Sequence, residues 1–327
     1  MRIFFIALCI GVAWGCGQVP QEEVEHTGEE KRWFFWSVDW HPHKDQIVVG
    51  GSNDTFLRLF SSRDFQPIKD YPYQGTITKS KWHPTQHKLA ISVQDGKSTS
   101  AILNLDDDQL TPLDSVSPEG ARAIGWNTSG DLLAVGDYQG FLTLFDDEGN
   151  YLQRVNTHQK SLIGLDWHPE KNLIVAVGED ISLYDVESDS LWHIEDRTEE
   201  IETLMLCVAW HPSGTFFVTG DYGDFEYGYP PLLQYWTAEG RRIRAIEGSK
   251  AELRNLQWSR DGELLATASE KIRLWDKGGK LLAEDSAQDL LWGIGWNGDA
   301  TRLVATDVNK KIIFWDRDLN RIKELNH

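Results

Sequence analysis

The chain has little cysteine and lacks a long hydrophobic run. Three of its 327 residues are cysteine: Cys9, Cys16 and Cys207. The first two lie near the N-terminus, which leaves Cys207 without a partner for a disulfide in the rest of the chain. The apolar run at residues 3–14 has twelve residues, whereas a helix needs about 20 to span a membrane. These shortages exclude a disulfide framework and a helical membrane span.

Positive charge is scarce as well. The chain has 32 lysines and arginines against 51 aspartates and glutamates, and its formal net charge is −19. Such a chain repels phosphate backbones, so nucleic acid is excluded as a partner. The sequence also has no nucleophile elbow, no His-Glu-x-x-His pair and no phosphate-binding glycine loop. We therefore predict no enzymatic activity, no catalytic residues, no metal and no cofactor.

Tryptophan, in contrast, is abundant and regularly spaced. Seven of the 15 tryptophans end short strand-like runs at intervals of 38 to 48 residues. These ladder tryptophans are Trp40, Trp82, Trp126, Trp167, Trp210, Trp258 and Trp296. A repeat of about 40–45 residues is typical of one four-stranded blade of a propeller.

A second series of strands follows the first. It comprises residues 55–60, 101–105, 140–145, 180–184, 232–236, 271–275 and 311–315. A third apolar run lies between the two series in each repeat, and Gly, Pro, Asn and Asp fill the gaps. We predict an all-β fold over residues 33–327, a seven-bladed β-propeller of four-stranded antiparallel blades. Residues 321–325 are expected to form the outer strand of blade seven.

Several segments resemble WD repeats. They are WSVDWHP at residues 36–42, KIRLWD at Lys271–Asp276 and KIIFWD at Lys311–Asp316. The resemblance covers about residues 33–327 and implies a propeller that serves as a scaffold for protein interactions. The family's buried hydrogen-bond set of His, Ser or Thr, Trp and Asp is mostly absent. His158 fits its histidine position and Asp54 its aspartate position, but in different blades.

The N-terminus has the pattern of a secretory leader. Arg2 precedes the apolar run at residues 3–14, and the small residue Gly15 precedes Cys16. This end resembles a bacterial lipoprotein signal, which implies a signal peptide at residues 1–15 and a lipid on Cys16. Residues 16–32 carry five glutamates and are expected to be an acidic tether. We predict an outer-membrane lipoprotein of a bacterial cell envelope, with an ordinary secreted protein as the alternative.

Two groups of polar residues invite a metal interpretation. His-Pro turns follow four ladder tryptophans, at His41, His83, His168 and His211. They belong to separate blades, so we interpret them as turns with local hydrogen bonds rather than as a zinc site. Acidic clusters at residues 106–108 and 146–150 lack the EF-hand spacing, and hairpin turn chemistry accounts for them.

One loop of blade five, residues 220–231, has the sequence GDYGDFEYGYPP and is longer than its counterparts. Its aromatic residues are Tyr222, Phe225, Tyr227 and Tyr229. In WD repeats this loop shares a rim with the start of the first strand. We therefore expect these side chains on one face with Trp36, Arg122, Tyr138, Arg254 and Trp292. Aromatic residues and arginine dominate binding hot spots, although the loop could instead be a lid over apolar surface.

The favoured function is a protein-interaction scaffold in a cell-envelope complex, held at the membrane by the lipid. Exposed aromatic residues also stack on sugar rings, so a glycan-binding module is the second interpretation. A hydrolase or lactonase built on the propeller rim is the third. Carboxylates that converge around the central channel would favour this last alternative.

Overall fold

The structure is a computed structural model that describes residues 34–52, 56–94, 100–194, 203–286 and 289–326. The described residues form seven antiparallel four-stranded sheets, each made of four strands consecutive in the chain. The strands of blades one to three are β1 (Phe35–Trp40), β2 (Gln46–Gly51), β3 (Phe56–Ser61), β4 (Pro67–Pro72), β5 (Thr76–Trp82), β6 (Lys88–Gln94), β7 (Ala101–Asn104), β8 (Gln109–Pro112), β9 (Ala121–Trp126), β10 (Leu132–Asp137), β11 (Phe141–Asp146) and β12 (Tyr151–Asn156). Those of blades four and five are β13 (Leu162–Trp167), β14 (Leu173–Gly178), β15 (Ile181–Asp185), β16 (Ser190–His193), β17 (Met205–Trp210), β18 (Phe216–Asp221), β19 (Leu232–Thr237) and β20 (Arg242–Glu247). Those of blades six and seven are β21 (Asn255–Trp258), β22 (Leu264–Ala268), β23 (Lys271–Asp276), β24 (Leu281–Ser286), β25 (Leu291–Trp296), β26 (Arg302–Asp307), β27 (Lys311–Asp316) and β28 (Arg321–Asn326).

The first strand of each blade is the innermost. Each of these seven strands contacts the first strand of the blade before it and of the blade after it, and β25 contacts β1. The seven-bladed β-propeller and the all-β fold are therefore confirmed. The predicted outer strand of blade seven is confirmed as β28.

The ladder tryptophans lie between blades. All seven are buried, and four indole N–H groups donate to a backbone carbonyl of the preceding blade. These bonds run from Trp82 to Asp39 at 3.2 Å, Trp126 to Lys81 at 3.2 Å, Trp167 to Gly125 at 2.8 Å and Trp296 to Gln257 at 3.3 Å. Each such tryptophan contributes both apolar area and a directed bond to the packing of neighbouring blades.

Blades seven and one close the ring. The Trp40 and Phe314 rings meet edge to face with centroids 6.1 Å apart. The Thr306 hydroxyl donates to the Phe35 carbonyl at 3.4 Å. All four strands of blade seven come from residues 291–326.

The buried polar set differs from the sequence prediction at blade four. His158 is exposed, so its assignment to the buried histidine position is wrong. The next residue, Gln159, is buried instead, and its amide nitrogen donates to the Ser182 hydroxyl at 2.8 Å. The left-handed backbone of His158 (φ 59°) turns the chain so that Gln159, not His158, faces inward. Asp54 lies outside the described residues.

Two blades do contain the tryptophan and threonine of the family pattern. The Trp236 indole N–H donates to the Thr219 hydroxyl at 3.1 Å, and Trp275 donates to Thr267 at 3.0 Å. Both pairs are buried. Because each buried donor has an acceptor, these hydrogen bonds offset the cost of removing the polar groups from water and stabilise the blades.

Cys207, the one cysteine of the propeller, has the buried surroundings of a structural residue. Cys207 is buried, its Sγ lies 3.2 Å from the Leu253 carbonyl oxygen, and burial raises the pKa of its thiol to about 12. Across the part of the chain that the structure describes, no helix has the length and apolar character needed to cross a membrane. The signal peptide, Cys16 and the acidic tether lie outside the described residues.

Candidate functional site

One cavity sits where the first strands of all seven blades begin. Its lining includes the residue four positions before each ladder tryptophan, so every blade contributes one side chain. These seven mouth residues are Trp36, Thr78, Arg122, Ile163, Leu206, Arg254 and Trp292. Lys79 and Asn255, one position further along two of the strands, complete the lining. The cavity is therefore the mouth of the central channel.

A β-bulge explains why these side chains point into the mouth. In β1, Phe35 pairs with Gly51 and Ser37 pairs with Gly50, so Trp36 is the extra residue. The same irregularity leaves out the mouth residue in β5, β9, β13, β17 and β25. In blade six, Arg254 directly precedes β21. A bulge redirects a side chain out of the alternation of its strand.

Two tryptophans and two arginines form the centre of this mouth. The rings of Trp36 and Trp292 meet edge to face, with centroids 4.3 Å apart. The Arg122 guanidinium lies 5.8 Å from the Trp36 ring, and the Arg254 guanidinium lies 5.0 Å from the Trp292 ring. Both separations fall within the range of a cation–π contact.

The cations of the mouth differ in how they are paired. Arg254 donates to Glu252 through Nε at 3.1 Å and through Nη2 at 2.7 Å. Arg122 and Lys79 form no ion pair or side-chain hydrogen bond with any residue that the structure describes. Burial lowers the pKa of Lys79 to about 8 and that of Arg122 to about 10. Two half-buried cations without an ion-pair partner therefore lie in the mouth, and Asp166 acts on Lys79 only at longer range.

Polar residues just before the ladder tryptophans hold neighbouring blades together around the channel. The Asp39 carboxylate accepts from the Trp82 backbone N–H at 2.9 Å and from Lys81 Nζ at 3.1 Å. The Asp166 carboxylate accepts from the Trp210 backbone N–H at 2.7 Å, and burial raises its pKa to about 6. These two channel carboxylates belong to blades one and four, and each is bonded to the blade that follows it.

The blade-five loop, residues 220–231, continues from the mouth. Asp221 begins it and accepts from the backbone N–H groups of Gly223 at 3.0 Å and Leu232 at 2.9 Å. The Tyr222 ring lies 5.9 Å from the Arg254 guanidinium, so the loop and the mouth are in contact. Aromatic side chains further along the loop are exposed, Tyr227 most of all at 65%.

The structure brings together most of the residues expected on this face. Trp36, Arg122, Arg254 and Trp292 line one cavity, and Tyr222 contacts Arg254. The Tyr138 hydroxyl donates to Gln94 at 2.7 Å and interacts electrostatically with Arg122. The remaining predicted residues, Phe225, Tyr227 and Tyr229, are exposed on the loop. A binding role for any of them stays a prediction.

Sequence reasoning missed five of the nine lining residues: Thr78, Lys79, Ile163, Leu206 and Asn255. Thr78, Ile163 and Leu206 have the same spacing from a ladder tryptophan as Trp36, so that spacing could have found them. Lys79 has no such signal. Its place in the lining depends on the bulge at Thr78, and no residue type in the sequence indicates that bulge.

The His-Pro turns connect blades. The Nε2 atoms of three histidines bond to a glycine carbonyl of the next blade: His83 to Gly130 at 2.9 Å, His168 to Gly214 at 3.0 Å and His211 to Gly262 at 2.9 Å. Nδ1 of each accepts a backbone N–H of its own turn. The imidazoles are therefore neutral with the proton on Nε2, and burial lowers their pKa. The predicted local hydrogen bonds are confirmed, and the bond to the next blade is new.

The acidic turns use their carboxylates locally. Asp146 accepts from the backbone N–H groups of Glu148 at 3.0 Å and Asn150 at 2.8 Å. Asp108 forms an ion pair with Lys69, and the Asp106 carboxylate lies 2.8 Å from Nδ1 of His87. Within the described residues, no group of three or more His, Cys, Asp or Glu side chains is arranged to hold a metal ion.

Comparison with known proteins gives partial matches. A family model of the WD domain, G-beta repeat, matches residues 202–225 and 240–276. Human F-box-like/WD repeat-containing protein TBL1X is 27% identical over 183 residues, which is 50% of this chain and 29% of the relative. TBL1X of Macaca fascicularis is 28% identical over 122 residues, 33% of this chain and 21% of the relative. Mouse diphthine methyltransferase is 37% identical over 57 residues, 17% of this chain and 12% of that enzyme.

The seven blades form a β-propeller, and the repeats and these matches support a WD-repeat propeller. Propellers of this class generally bind protein partners and are mostly scaffolds without enzymatic activity. The chain spans less than a third of the length of the relatives it matches. The predicted lack of enzymatic activity in this chain stays a prediction.

Proposed function

We propose that the protein is an interaction scaffold that binds a protein partner through the face formed by the mouth residues and the blade-five loop. The observation that carries this proposal is a continuous series of contacts. The Tyr222 ring contacts Arg254, which contacts Trp292, which contacts Trp36. Aromatic residues and arginine contribute most of the binding energy in protein interfaces.

The loop adds a rim to this centre. Its tyrosines are exposed. The carboxylates of Asp221 and Asp224 accept hydrogen bonds from backbone N–H groups and hold the loop backbone in place. A loop ordered before binding loses less conformational entropy when a partner docks. The face therefore has a desolvated aromatic centre and an accessible, preorganised edge, which is the arrangement that interfaces use.

A triple loop variant tests the proposal. Replacing Tyr222, Tyr227 and Tyr229 with serine should weaken capture of the native partner by about tenfold or more, equivalent to about 1.4 kcal/mol. Folding should be preserved because the loop contributes little buried surface. Capture is measured by quantitative pull-down from gently solubilised membranes, and folding by thermal denaturation.

The matched control replaces three exposed apolar side chains on outer strands, Tyr151, Leu281 and Ile322, with serine. It should retain full capture. Loss of capture in the control with retention in the loop variant would contradict the proposed face. Retention of oligosaccharides instead of proteins, lost in the loop variant, would favour the glycan-binding alternative.

We further propose that the scaffold is displayed at a bacterial cell envelope by a lipid on Cys16, in an outer-membrane lipoprotein. The support is the sequence alone: the apolar run at residues 3–14 is followed by the small residue Gly15 directly before Cys16. Two or three acyl chains anchor a protein stably, since each buried methylene contributes about 0.8 kcal/mol.

Exchange of the acceptor thiol tests the anchor. In a bacterial host that processes lipoproteins, Cys16→Ser should abolish incorporation of labelled fatty acid and release the protein into the soluble fraction. Cys207→Ser is the matched control and should keep the label, because that thiol is buried in the propeller. A Cys16→Ser protein that stays with the membrane at high salt would contradict the anchor.

A further inference from the structure

The mouth of the channel has an excess of positive charge that the chain does not neutralise. Several arginines elsewhere are matched with carboxylates, for example Arg58 with Asp70 at 2.6 Å and Arg317 with Asp261 at 2.7 Å. Arg122 and Lys79 have no such partner among the described residues, although the chain carries 19 more negative than positive charges. Arg244 and Arg302 have no carboxylate partner either, but each donates to a backbone carbonyl, that of Gly278 and that of Ser62. Arg122 and Lys79 have no such acceptor among the described residues.

The nearby carboxylates have partners of their own. Asp166 accepts from the Trp210 backbone N–H at 2.7 Å and acts on Lys79 without forming an ion pair. Glu252 holds Arg254 through two hydrogen bonds. Asp39 holds Lys81 and the backbone of Trp82. An unpaired cation with few water contacts costs free energy that a counter-ion would recover. The mouth is thus prepared for an anion that comes from outside the chain.

The neutral donors of the mouth also lack an acceptor. The indole N–H groups of both Trp36 and Trp292 are buried and have no hydrogen-bond acceptor. A buried N–H without an acceptor is rare and needs an explanation. An anion placed beside Arg122 and Lys79 could accept from these indoles as well. A carboxylate has two oxygens with about four acceptor positions, which matches the four donor groups: one guanidinium, one ammonium and two indoles.

We propose that the channel mouth binds a carboxylate group of the protein partner, the side chain of an aspartate or glutamate or a C-terminus, between Arg122, Lys79 and the two indoles. This proposal rests on the proposed function, because it names the group that the partner inserts. Arg122 supplies a planar pair of donors and Lys79 a point charge. Ile163 of blade four and Leu206 of blade five lie across the mouth from the two indoles, where they contact the apolar stem of the inserted residue.

A single carboxylate suits the mouth better than a phosphate polymer. The net charge of −19 repels a polyanion along the rest of the surface. The lining is half apolar, with two indoles, Ile163 and Leu206 among its nine residues. One negative charge on a short stem enters such a site at a smaller desolvation cost than a doubly charged phosphate group.

Nuclear magnetic resonance of the indole N–H groups tests this proposal directly. The full chain is labelled with ¹⁵N, and the signals of Trp36 and Trp292 are assigned by Trp36→Phe and Trp292→Phe. N-acetylglutamate amide is then added to the protein. We expect both indole signals to shift in a saturable manner. N-acetylglutamine amide, which is neutral and of equal size, should leave them in place.

Substitutions of the two cations complete the test. Arg122→Gln and Lys79→Gln should each weaken binding of N-acetylglutamate amide by about tenfold. Lys277→Gln is the control, because Lys277 is exposed on the turn between β23 and β24 and does not line the mouth. Equal shifts with the glutamine derivative, or tighter binding of inorganic phosphate than of the carboxylate, would overturn the proposal.

Partner capture separates this proposal from the proposed function. If the triple loop variant loses the partner while Arg122→Gln keeps it, the face is correct and the carboxylate is not. If N-acetylglutamate amide binds as expected but neither variant affects capture, the mouth binds a carboxylate and the proposed interaction face is wrong.

Discussion

At the scale of single residues, a ladder tryptophan combines apolar burial with one directed bond to the preceding blade. Trp167 is buried against Leu165 and Leu162 in one apolar cluster, and its Nε1 donates to the Gly125 carbonyl at 2.8 Å. Removing the side chain loses the apolar contacts and leaves a cavity, whereas removing only the N–H leaves the carbonyl without its donor.

Two variants of Trp167 separate these contributions. Trp167→Ala should lower the free energy of unfolding by about 3–5 kcal/mol, as large-to-small core substitutions do. Trp167→Phe keeps most of the apolar contacts and should cost about 1–3 kcal/mol. Urea denaturation at pH 8 measures both. Equal losses in the two variants would mean that the hydrogen bond, not the buried area, dominates.

Residue-scale reasoning from the sequence located Trp36 and Trp292 correctly, because both lie four positions before a ladder tryptophan in blades that become neighbours. It did not locate Lys79, whose direction depends on the bulge at Thr78. It misplaced the buried polar group of blade four at His158, because a positive φ at one residue is not written in the residue type. Spacing was predictable, whereas local backbone irregularities were not.

At the scale of elements, the His-Pro turns bond each blade to the next. His168 accepts the Glu170 backbone N–H through Nδ1 at 3.1 Å and donates from Nε2 to Gly214 of blade five at 3.0 Å. The sequence predicted the first bond from the turn. It could not predict the second, because the acceptor comes from a blade whose position only the closed ring defines.

These turns predict a loss of stability in weak acid. Burial lowers the pKa of all four turn histidines, that of His41 from 6.5 to about 4. Below pH 6.5 the unfolded chain takes up protons that the folded chain refuses, so the free energy of unfolding falls from there towards pH 4. Asp166, whose pKa is raised from 3.8 to about 6, opposes this trend, and so does Asp307, whose pKa burial also raises, but they are two groups against four.

The pH dependence is measured by urea denaturation between pH 7.5 and 4.5. His83→Gln combined with His168→Gln should make the dependence shallower. Pro169→Ala alters the same turn without a titratable group and should keep the dependence of the unaltered protein. A double histidine variant with an unchanged pH profile would contradict the account of these turns.

At the scale of the whole molecule, the ring closes by close approach of blades seven and one rather than by a covalent link. A Cβ built on Gly293 would lie 2.8 Å from the Val38 backbone nitrogen and 2.4 Å from the Thr306 hydroxyl. Two residues along the same strand, a Cβ on Gly295 would lie no closer than 3.5 Å to its neighbours. The sequence has glycine at both positions, but it does not show which of the two the packing requires.

This difference gives a matched pair of substitutions. Gly293→Ala should destabilise the propeller by about 1–3 kcal/mol, because the added methyl group pushes the two blades apart. Gly295→Ala meets only ordinary van der Waals distances and should change the free energy of unfolding by less than about 0.5 kcal/mol. Denaturation curves of the two variants measure both changes in the free energy of unfolding. A larger loss for Gly295→Ala than for Gly293→Ala would contradict the packing at the closure.

The same closed ring brings one residue from each blade to the channel mouth, and we propose that a protein partner docks there. The most direct measurement is photo-cross-linking in cells, with a photoreactive amino acid at position 222, 36 or 151. Positions 222 and 36 should cross-link to the same partner, with the site mapped next to an acidic residue or a C-terminus, and Arg122→Gln should abolish the product. Cross-links from position 151 alone, or products from position 36 that persist in Arg122→Gln, would contradict the account.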